Sequence, residues 1–442
     1  MSATILILGG GPTGLRAAAE VASAGSRAVV LEQLPVLGGK RAAMLTGPDA
    51  PDPELVSVTD NPAVSWHTQS QLVALTGEAG HFTATVTEQP RYVTADCTRC
   101  NHCVPVCPQV VPNEYDAGLT YRKAIHSPLP KTLPDIYSID IDSCLNGPPN
   151  YLPCERCTEA CDDDAIHFDM PVPPPRDIEV ASVIVATGFA GSSEEEGRVL
   201  AEFGYGTHPD IVSGREMQRL LEDPGPSGGF AVKPSDESYP DAVVLVLTAP
   251  TADTLWVAQN HVRRLAAQQV ESLAVLVLSA DSEDPALASL RDAAAECAAP
   301  LYFGGWIAAQ ALEEGGLEVA FAALPGGTTQ RLDAELVALY TEVRPDPATA
   351  ALAALLGVEQ DTRGYLAPTR PGIYLAGGAS GTVGIEAGFE EAATVVQSAL
   401  QHVTARKEQD EEATPPRVPQ LRREDLEQLL HALLELGRSS AR

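Results

Sequence analysis

The chain has 442 residues, enough for two to three domains with ample core, and it carries a formal net charge of −31. Charge of that sign and size argues against nucleic acid and anionic membrane surfaces as partners, and favours solubility or a basic docking partner. No apolar run reaches the length of a membrane-crossing helix, and Met1–Leu8 reads as a strand rather than a secretory leader, so the expected setting is the cytoplasm.

Thr4–Leu8 is a short apolar run of the kind found in buried parallel strands. It leads into Gly9-Gly10-Gly11-Pro12-Thr13-Gly14, then an alanine-rich helix over Leu15–Ala24, then a second apolar strand, Ala28–Leu31, ending at Glu32 and Gln33. This is the dinucleotide fingerprint in its βαβ context. Gly9 makes the tight turn, Gly11 lets backbone approach a pyrophosphate, and Gly14 packs helix on strand. Glu32 follows Gly14 by eighteen residues, placed to bond ribose hydroxyls and to repel a 2′-phosphate. Gly38-Gly39-Lys40 lets the chain pass close over a long cofactor, which favours FAD over a nicotinamide nucleotide; an ordinary turn is the plainer reading. Gln71–Leu75 and Phe82–Val86, joined by Gly77–Gly80, read as a hairpin over the edge of this domain.

Eight of the nine cysteines lie between Cys97 and Cys161. The first four are spaced Cys97-x-x-Cys100-x-x-Cys103-x-x-x-Cys107-Pro108, and the second four Cys144-x9-Cys154-x-x-Cys157-x-x-x-Cys161. Bacterial-type [4Fe–4S] ligands have this spacing, with the fourth cysteine of each run crossing to the other cluster. Cys97, Cys100, Cys103 and Cys161 are therefore expected to hold one cluster, and Cys144, Cys154, Cys157 and Cys107 the other. The loop Leu145–Pro153 absorbs the long gap after Cys144. Structural zinc closes with four ligands and leaves the third Cys-x-x-Cys step unused, and disulfide frameworks belong to small secreted domains. Cys297, alone in the helical-looking Asp292–Ala299, reads as a small buried apolar residue.

Pro171–Pro175 marks the exit from the cysteine-rich segment as a stiff linker. Ile178–Val185 reads as one buried strand ending at Ala186-Thr187-Gly188, which returns the backbone to the first site. Ala242–Leu247, a helix over Ala252–Gln268 and a strand at Leu273–Leu278 open a second α/β unit. Its connecting loop, Thr248–Asp253, contains no glycine, so backbone cannot approach a pyrophosphate closely. The second domain is expected to keep the fold without the nucleotide grip. The chain is expected back in the first domain at Glu335–Tyr340. The strand Gly372–Gly377, the loop Gly378-Ala379-Ser380-Gly381 and a helix over Ile385–His402 would then face the flavin. A charged linker, Arg406–Pro419, precedes an amphipathic helix at Arg423–Leu436, expected to pack on the body or on a twin subunit in a homodimer.

At this point the sequence resembles the HdrA-like family, the A-type subunits of heterodisulfide reductase and their relatives, which are FAD-containing iron–sulfur electron-transfer proteins. The most specific match is Asn113–Leu119 with Arg122–Ile125 and Pro128–Pro130, between the two cysteine runs. Tyr205-Gly206, Lys233–Asp236 and Ala376–Gly381 match more weakly in the same order. The resemblance implies a thioredoxin-reductase-like pair of Rossmann-type nucleotide-binding domains (α/β), with an inserted two-cluster ferredoxin-like domain. It implies FAD contacts from Gly9, Gly11, Pro12, Thr13, Gly14, Glu32, Gly39, Lys40, Thr187, Gly188 and Gly378–Gly381. It also implies work beside other iron–sulfur subunits of a complex. Two departures stand out: Arg41–Pro62 and Leu247–Gln268 lack the further cysteines that many relatives carry there.

The resulting division is 1–94 for the first part of the FAD domain, 95–170 for the cluster insert and 171–240 for the return and connector. Residues 241–330 form the degenerate second domain, 331–402 the last part of the FAD domain, and 403–442 the acidic linker and terminal helix. The expected role is a relay, with FAD splitting electron pairs and two clusters carrying single electrons to a partner. Asn101 and His102, between ligands, are candidates for tuning the first cluster. The alternative is a stand-alone NAD(P)H- or disulfide-dependent reductase. It lacks both a metal-free cysteine pair beside the flavin and the second glycine loop.

Overall fold

The computed structural model describes residues 3–39, 53–127, 132–188, 193–223, 225–279, 281–313, 315–342, 345, 348–382 and 384–413. Two parallel α/β sheets organise it. The first begins with β1 (Thr4–Leu8), α1 (Pro12–Ser23), β2 (Arg27–Leu31) and β3 (Val64–His67). β1 pairs in parallel with β2, and β2 with β3. Ile5, Leu6 and Ile7 are fully buried, because helices or a second sheet cover both faces of this sheet.

β4 (Ser70–Glu78) and β5 (His81–Glu88) form the expected hairpin, and β6 (Arg176–Val180) pairs antiparallel with β5. β7 (Ser182–Val185) then runs parallel to β1. The stretch read as a single strand over Ile178–Val185 is thus two strands in two sheets, turning at Ala181. Val180, Ala181 and Ser182 are all fully buried in the corner, so no exposed residue marks the break.

The second sheet takes β8 (Ile211–Ser213), β9 (Ala242–Leu247), β10 (Ser272–Val277), β11 (Leu301–Ala311), β12 (Leu317–Ala323), β13 (Thr328–Ala334) and β14 (Leu336–Tyr340). Its strand order is β8-β14-β9-β10-β11-β12-β13. Helices α2 (Gly214–Leu221), α3 (Ala252–Ala267) and α4 (Ala288–Glu296) belong to this domain, and β11 to β13 form an antiparallel extension. β14, expected in the flavin domain, lies here instead, parallel to both β9 and β8. All five of its residues are buried, and an all-apolar strand fits either parallel sheet equally well. The chain crosses back only after Tyr340, and Ile211–Ser213, expected in the connector, is an edge strand of this second sheet.

β15 (Ile373–Leu375) completes the first sheet beside β7, and α5 (Ile385–Ala413) packs on α1. The α1–α5 contact is made of small residues: Ala17, Ala18, Ala392, Val396 and Ala399 are all buried within one apolar cluster. Small side chains let the two helices approach closely. The expected linker is helical where described, since α5 runs on to Ala413 rather than ending at His402; its remainder and the helix at Arg423–Leu436 lie outside the described residues.

Between the two halves of the first domain sits a lobe with little regular structure. Two short antiparallel pairs, Val110–Pro112 with Tyr121–Lys123 and Ile125–His126 with Ser138–Ile139, frame a small core. Cys103, Cys107, Cys144 and Cys157 are part of that core. Leu37 pairs with Leu133, and Val93 with Ile166, pinning the lobe to the first domain. Asp116 reaches Arg219 of α2 at 2.8 Å, tying the lobe to the second domain as well.

Candidate functional site

The glycine loop after β1 behaves as its residue types require. Gly9 has φ +109°, and a Cβ on Gly14 would stand 2.0 Å from the Gly9 carbonyl oxygen. Around Gly11 there is no heavy atom within 4 Å of a would-be Cβ, so this face of the loop is open to a ligand. Helix α1 starts there without a side-chain cap, leaving its first amides free for an anion. Thr13 faces the far side of the domain: a Cβ on either Gly377 or Gly388 would come within 2.7 Å of its hydroxyl. Gly188 carries φ +77° in open space at the end of β7. Gly39 lies against Gly11, whereas Lys40 falls outside the described residues.

Glu32 holds the loop in place. Its carboxylate accepts from Gly10 N at 2.7 Å and from Leu34 N at 2.8 Å. Burial raises its pKa above an ordinary glutamate, against the lowering effect of those amides. The residue expected to meet a ribose thus also spends both oxygens bracing the backbone that would carry the phosphates. Glu391 of α5 has a parallel role that the sequence did not reveal. It accepts from Gly377 N at 2.8 Å and from Ser380 Oγ at 2.8 and 3.0 Å, fixing the Gly377–Ser380 turn. A lone acid on a helix carries no pattern by which to find it.

The cysteines converge in the crossed arrangement that their spacing implies. Cys97, Cys100, Cys103 and Cys161 line one small cavity, and Cys107, Cys144, Cys154 and Cys157 line another. Ile125, itself buried, lines both. Among the described residues no group of three or more His, Cys, Asp or Glu is spaced to hold a single metal ion. Each quartet surrounds a space instead. All nine cysteines are free thiols. Burial, followed by the charges of neighbouring thiolates, pushes Cys103 up to about 12; burial first, then Cys144, Cys107 and Cys154, pushes Cys157 up to about 11. Four thiolates cannot share such a space ionised unless a cationic core lies between them. Four cysteines around each space are the ligand set of an iron–sulfur cluster, so the residues present fit that group.

Around the quartets the lobe is braced by polar pairs. Asn101 accepts from Tyr137 OH at 2.9 Å, and His102 Nδ1 lies 3.0 Å from Asp162. Both residues therefore join loops of the lobe. Arg122 grips Glu114 with two bonds, at 2.6 and 2.8 Å, and reaches Asp140 at 2.8 Å. Asn113 caps the turn Glu114–Asp116, and burial drives the Tyr115 pKa up, with Glu32 among the nearby charges. Through Asp116, which bonds Arg219, this block joins the lobe to the second domain.

The second domain presents a different loop. Thr251 caps α3: Thr254 N donates to Thr251 Oγ1 at 3.4 Å and Thr251 N donates to Thr254 Oγ1 at 2.9 Å. Asp253 adds a carboxylate to the first turn. Cys297 ends α4 and packs against the apolar core of this domain, half-buried where its sequence context predicts burial.

Residues 4–89 match the family model described as an FAD binding domain. The A-type iron–sulfur subunit of CoB–CoM heterodisulfide reductase from Methanocaldococcus jannaschii is 33% identical over 256 residues, 56% of this chain and 37% of that one. Its counterpart from Methanopyrus kandleri is 34% identical over 256 residues, with the same shares of the two chains. Over that stretch this chain is similar to the heterodisulfide reductase A-type subunits. It spans little more than a third of the length of those two proteins. A thioredoxin reductase from Lactococcus lactis aligns at 12% identity and a TM-score of 0.45 over 91% of this chain and 100% of that one. Among the described residues no helix is long and apolar enough to cross a membrane.

Proposed function

We propose that the chain is a flavin- and iron–sulfur-containing electron-transfer subunit of a heterodisulfide reductase-like oxidoreductase. FAD lies on the Gly9–Gly14 loop, two [4Fe–4S] clusters fill the lobe, and a partner iron–sulfur protein takes or supplies the electrons. The observation that carries this reading is the pair of cavities, each lined by four cysteines drawn from both runs. Bound FAD would supply the exchange between electron pairs and single electrons. The chain's own work is to hold the dinucleotide against backbone amides, to brace the loop through Glu32 and Glu391, and to keep the two cluster sites one side chain apart at Ile125. Cys100 is exposed, giving a partner's cofactor an approach to the first site.

Protein prepared without air is expected to contain about eight irons and eight acid-labile sulfides per chain. Cys144→Ser should lower both to about four. A parent value near four that Cys144→Ser leaves unchanged would refute the assignment of two clusters.

A further inference from the structure

The two cysteine quartets have unlike surroundings. Two arginines lie near the first in the chain, and its cavity wall carries a carboxylate, Asp163, which accepts from Thr98 Oγ1 at 2.6 Å. Arg91 donates through Nη1 to the Pro35 carbonyl, while its Nε and Nη2 are buried with no partner among the described residues. Arg91 stands two residues before Val93, which lines the first cavity, and Tyr115 and Cys97 are among the titratable groups near it. Arg99 lies between Cys97 and Cys100 with φ +58°. Its two terminal nitrogens bond Asp135 and Ser127, and its Nε is likewise buried without a partner among the described residues. A buried guanidinium donor left unpaired is costly, so these nitrogens call for an acceptor that the described residues do not supply. Among the described residues the second quartet has no such cations. Cys144 is served by the amides of Asn146 and Gly147, and Arg156, the cation lining that cavity, is exposed to screening by water.

We propose that Arg91 and Arg99 are the counter-charge of the cluster held by Cys97, Cys100, Cys103 and Cys161, and that they make it the higher-potential centre of the lobe. Reduction of such a cluster adds one electron and one negative charge, with no bond made or broken. Buried cations and N–H donors beside the cluster stabilise the added charge, and solvent exposure acts in the same direction. Cys100 is exposed, whereas three of the four second-quartet cysteines are buried. An electron in the lobe therefore comes to rest at the first quartet. Both arginines act on the cluster's potential as positioning residues.

This inference rests on the two-cluster reading, so iron content is measured alongside potential. In the full chain carrying FAD and eight irons, EPR-monitored redox titration is expected to resolve two centres of different potential. Arg91→Gln should shift only the higher one downward. The expected change is at least tenfold in its oxidised-to-reduced ratio at fixed poise, or 59 mV for one electron. Arg91→Lys, which keeps charge but not fork geometry, should shift it less. Unchanged potentials at eight irons, or equal shifts of both centres, overturn the inference alone. So does loss of flavin with both potentials unchanged, which would assign the free donors to FAD. An iron content near four in the parent removes the two-cluster reading and this inference with it. If Arg91→Gln does not load iron, the parent labelled with ¹⁵N-arginine decides. Pulsed EPR should show a nitrogen coupling on the higher-potential centre, and its absence overturns the proposal.

Discussion

The two α/β domains share an architecture and differ at one junction. In each, a buried parallel strand runs through a loop into a helix on the sheet. At the end of β1 the helix begins with no side-chain cap, on a loop whose outer face is empty around Gly11. At the end of β9 the corresponding helix is closed by its own threonines, Thr251 and Thr254, and carries Asp253 in its first turn. A side-chain cap contributes about 1 kcal/mol to a helix, so self-capping stabilises the second domain where the first leaves amides for a ligand. Asp253 opposes an anion there as well, since a carboxylate already occupies the positive end of the helix. A fold of this kind is thus a nucleotide site only where the chain leaves its own helix terminus unsatisfied.

The strongest way to break this comparison is to close the first loop. Gly14→Val places methyl groups where even a Cβ would stand 2.0 Å from the Gly9 oxygen. The purified variant is expected to hold no flavin and to lose about 3 kcal/mol of stability. Ala249→Gly in the second loop should leave flavin content unchanged. Flavin absorbance per chain reads both, and a Gly14→Val protein with full flavin would end the assignment of the first loop.

Next in size is the response to reduced nicotinamide nucleotides. With α3 self-capped and Asp253 beside its first turn, NADH and NADPH are expected to bleach the flavin of the isolated protein slowly and incompletely. Anaerobic stopped-flow mixing measures it. Rapid, complete bleaching by either nucleotide would place a working hydride donor site in the second domain and favour a stand-alone reductase.

Much of this contrast is legible in the residues, because glycine and cysteine spacings encode backbone geometry and ligand sets directly. The Gly9–Gly14 loop, its strand and helix, and the crossed cysteine quartets follow from local patterns. Tertiary choices that leave no local trace are harder to read. β14 is five buried apolar residues and could join either sheet; only its pairing with Ala242–Leu247 decides. Ile178–Val185 hides its corner at Ala181 for the same reason. Glu391 and Arg91 matter through partners far away in sequence, Gly377 and Pro35, and neither sits in a motif. His102, adjacent to a ligand in sequence, pairs with Asp162 sixty residues away, a cross-lobe brace that spacing alone does not reveal.

The smallest effect separates the domains by the sign of their response to acid. In the second domain His261 is fully buried, 2.8 Å from Tyr340 OH and 2.6 Å from Gln218 Oε1, and burial followed by Arg264 lowers its pKa to about 3. Its value in an unfolded chain is about 6.5. A depressed folded value means that the unfolded chain takes up the proton first. The stability His261 contributes is present above about pH 6.5 and is lost as pH falls toward about 3. Glu32 in the flavin domain is shifted the other way, chiefly by burial. Its contribution is fully present below the unfolded value of about 4.3 and is lost as pH rises through the raised folded value. Thermal unfolding of the parent, His261→Gln and Glu32→Gln between pH 8 and pH 4 tests the pair. As pH falls, the parent should lose ground against His261→Gln and gain ground against Glu32→Gln. The glutamine at 32 also turns an amide group toward one of the two backbone donors now bonded, a mismatch of about 1 to 3 kcal/mol at neutral pH. Slopes of the same sign for the two variants would show that the buried acid and the buried base do not distinguish the domains.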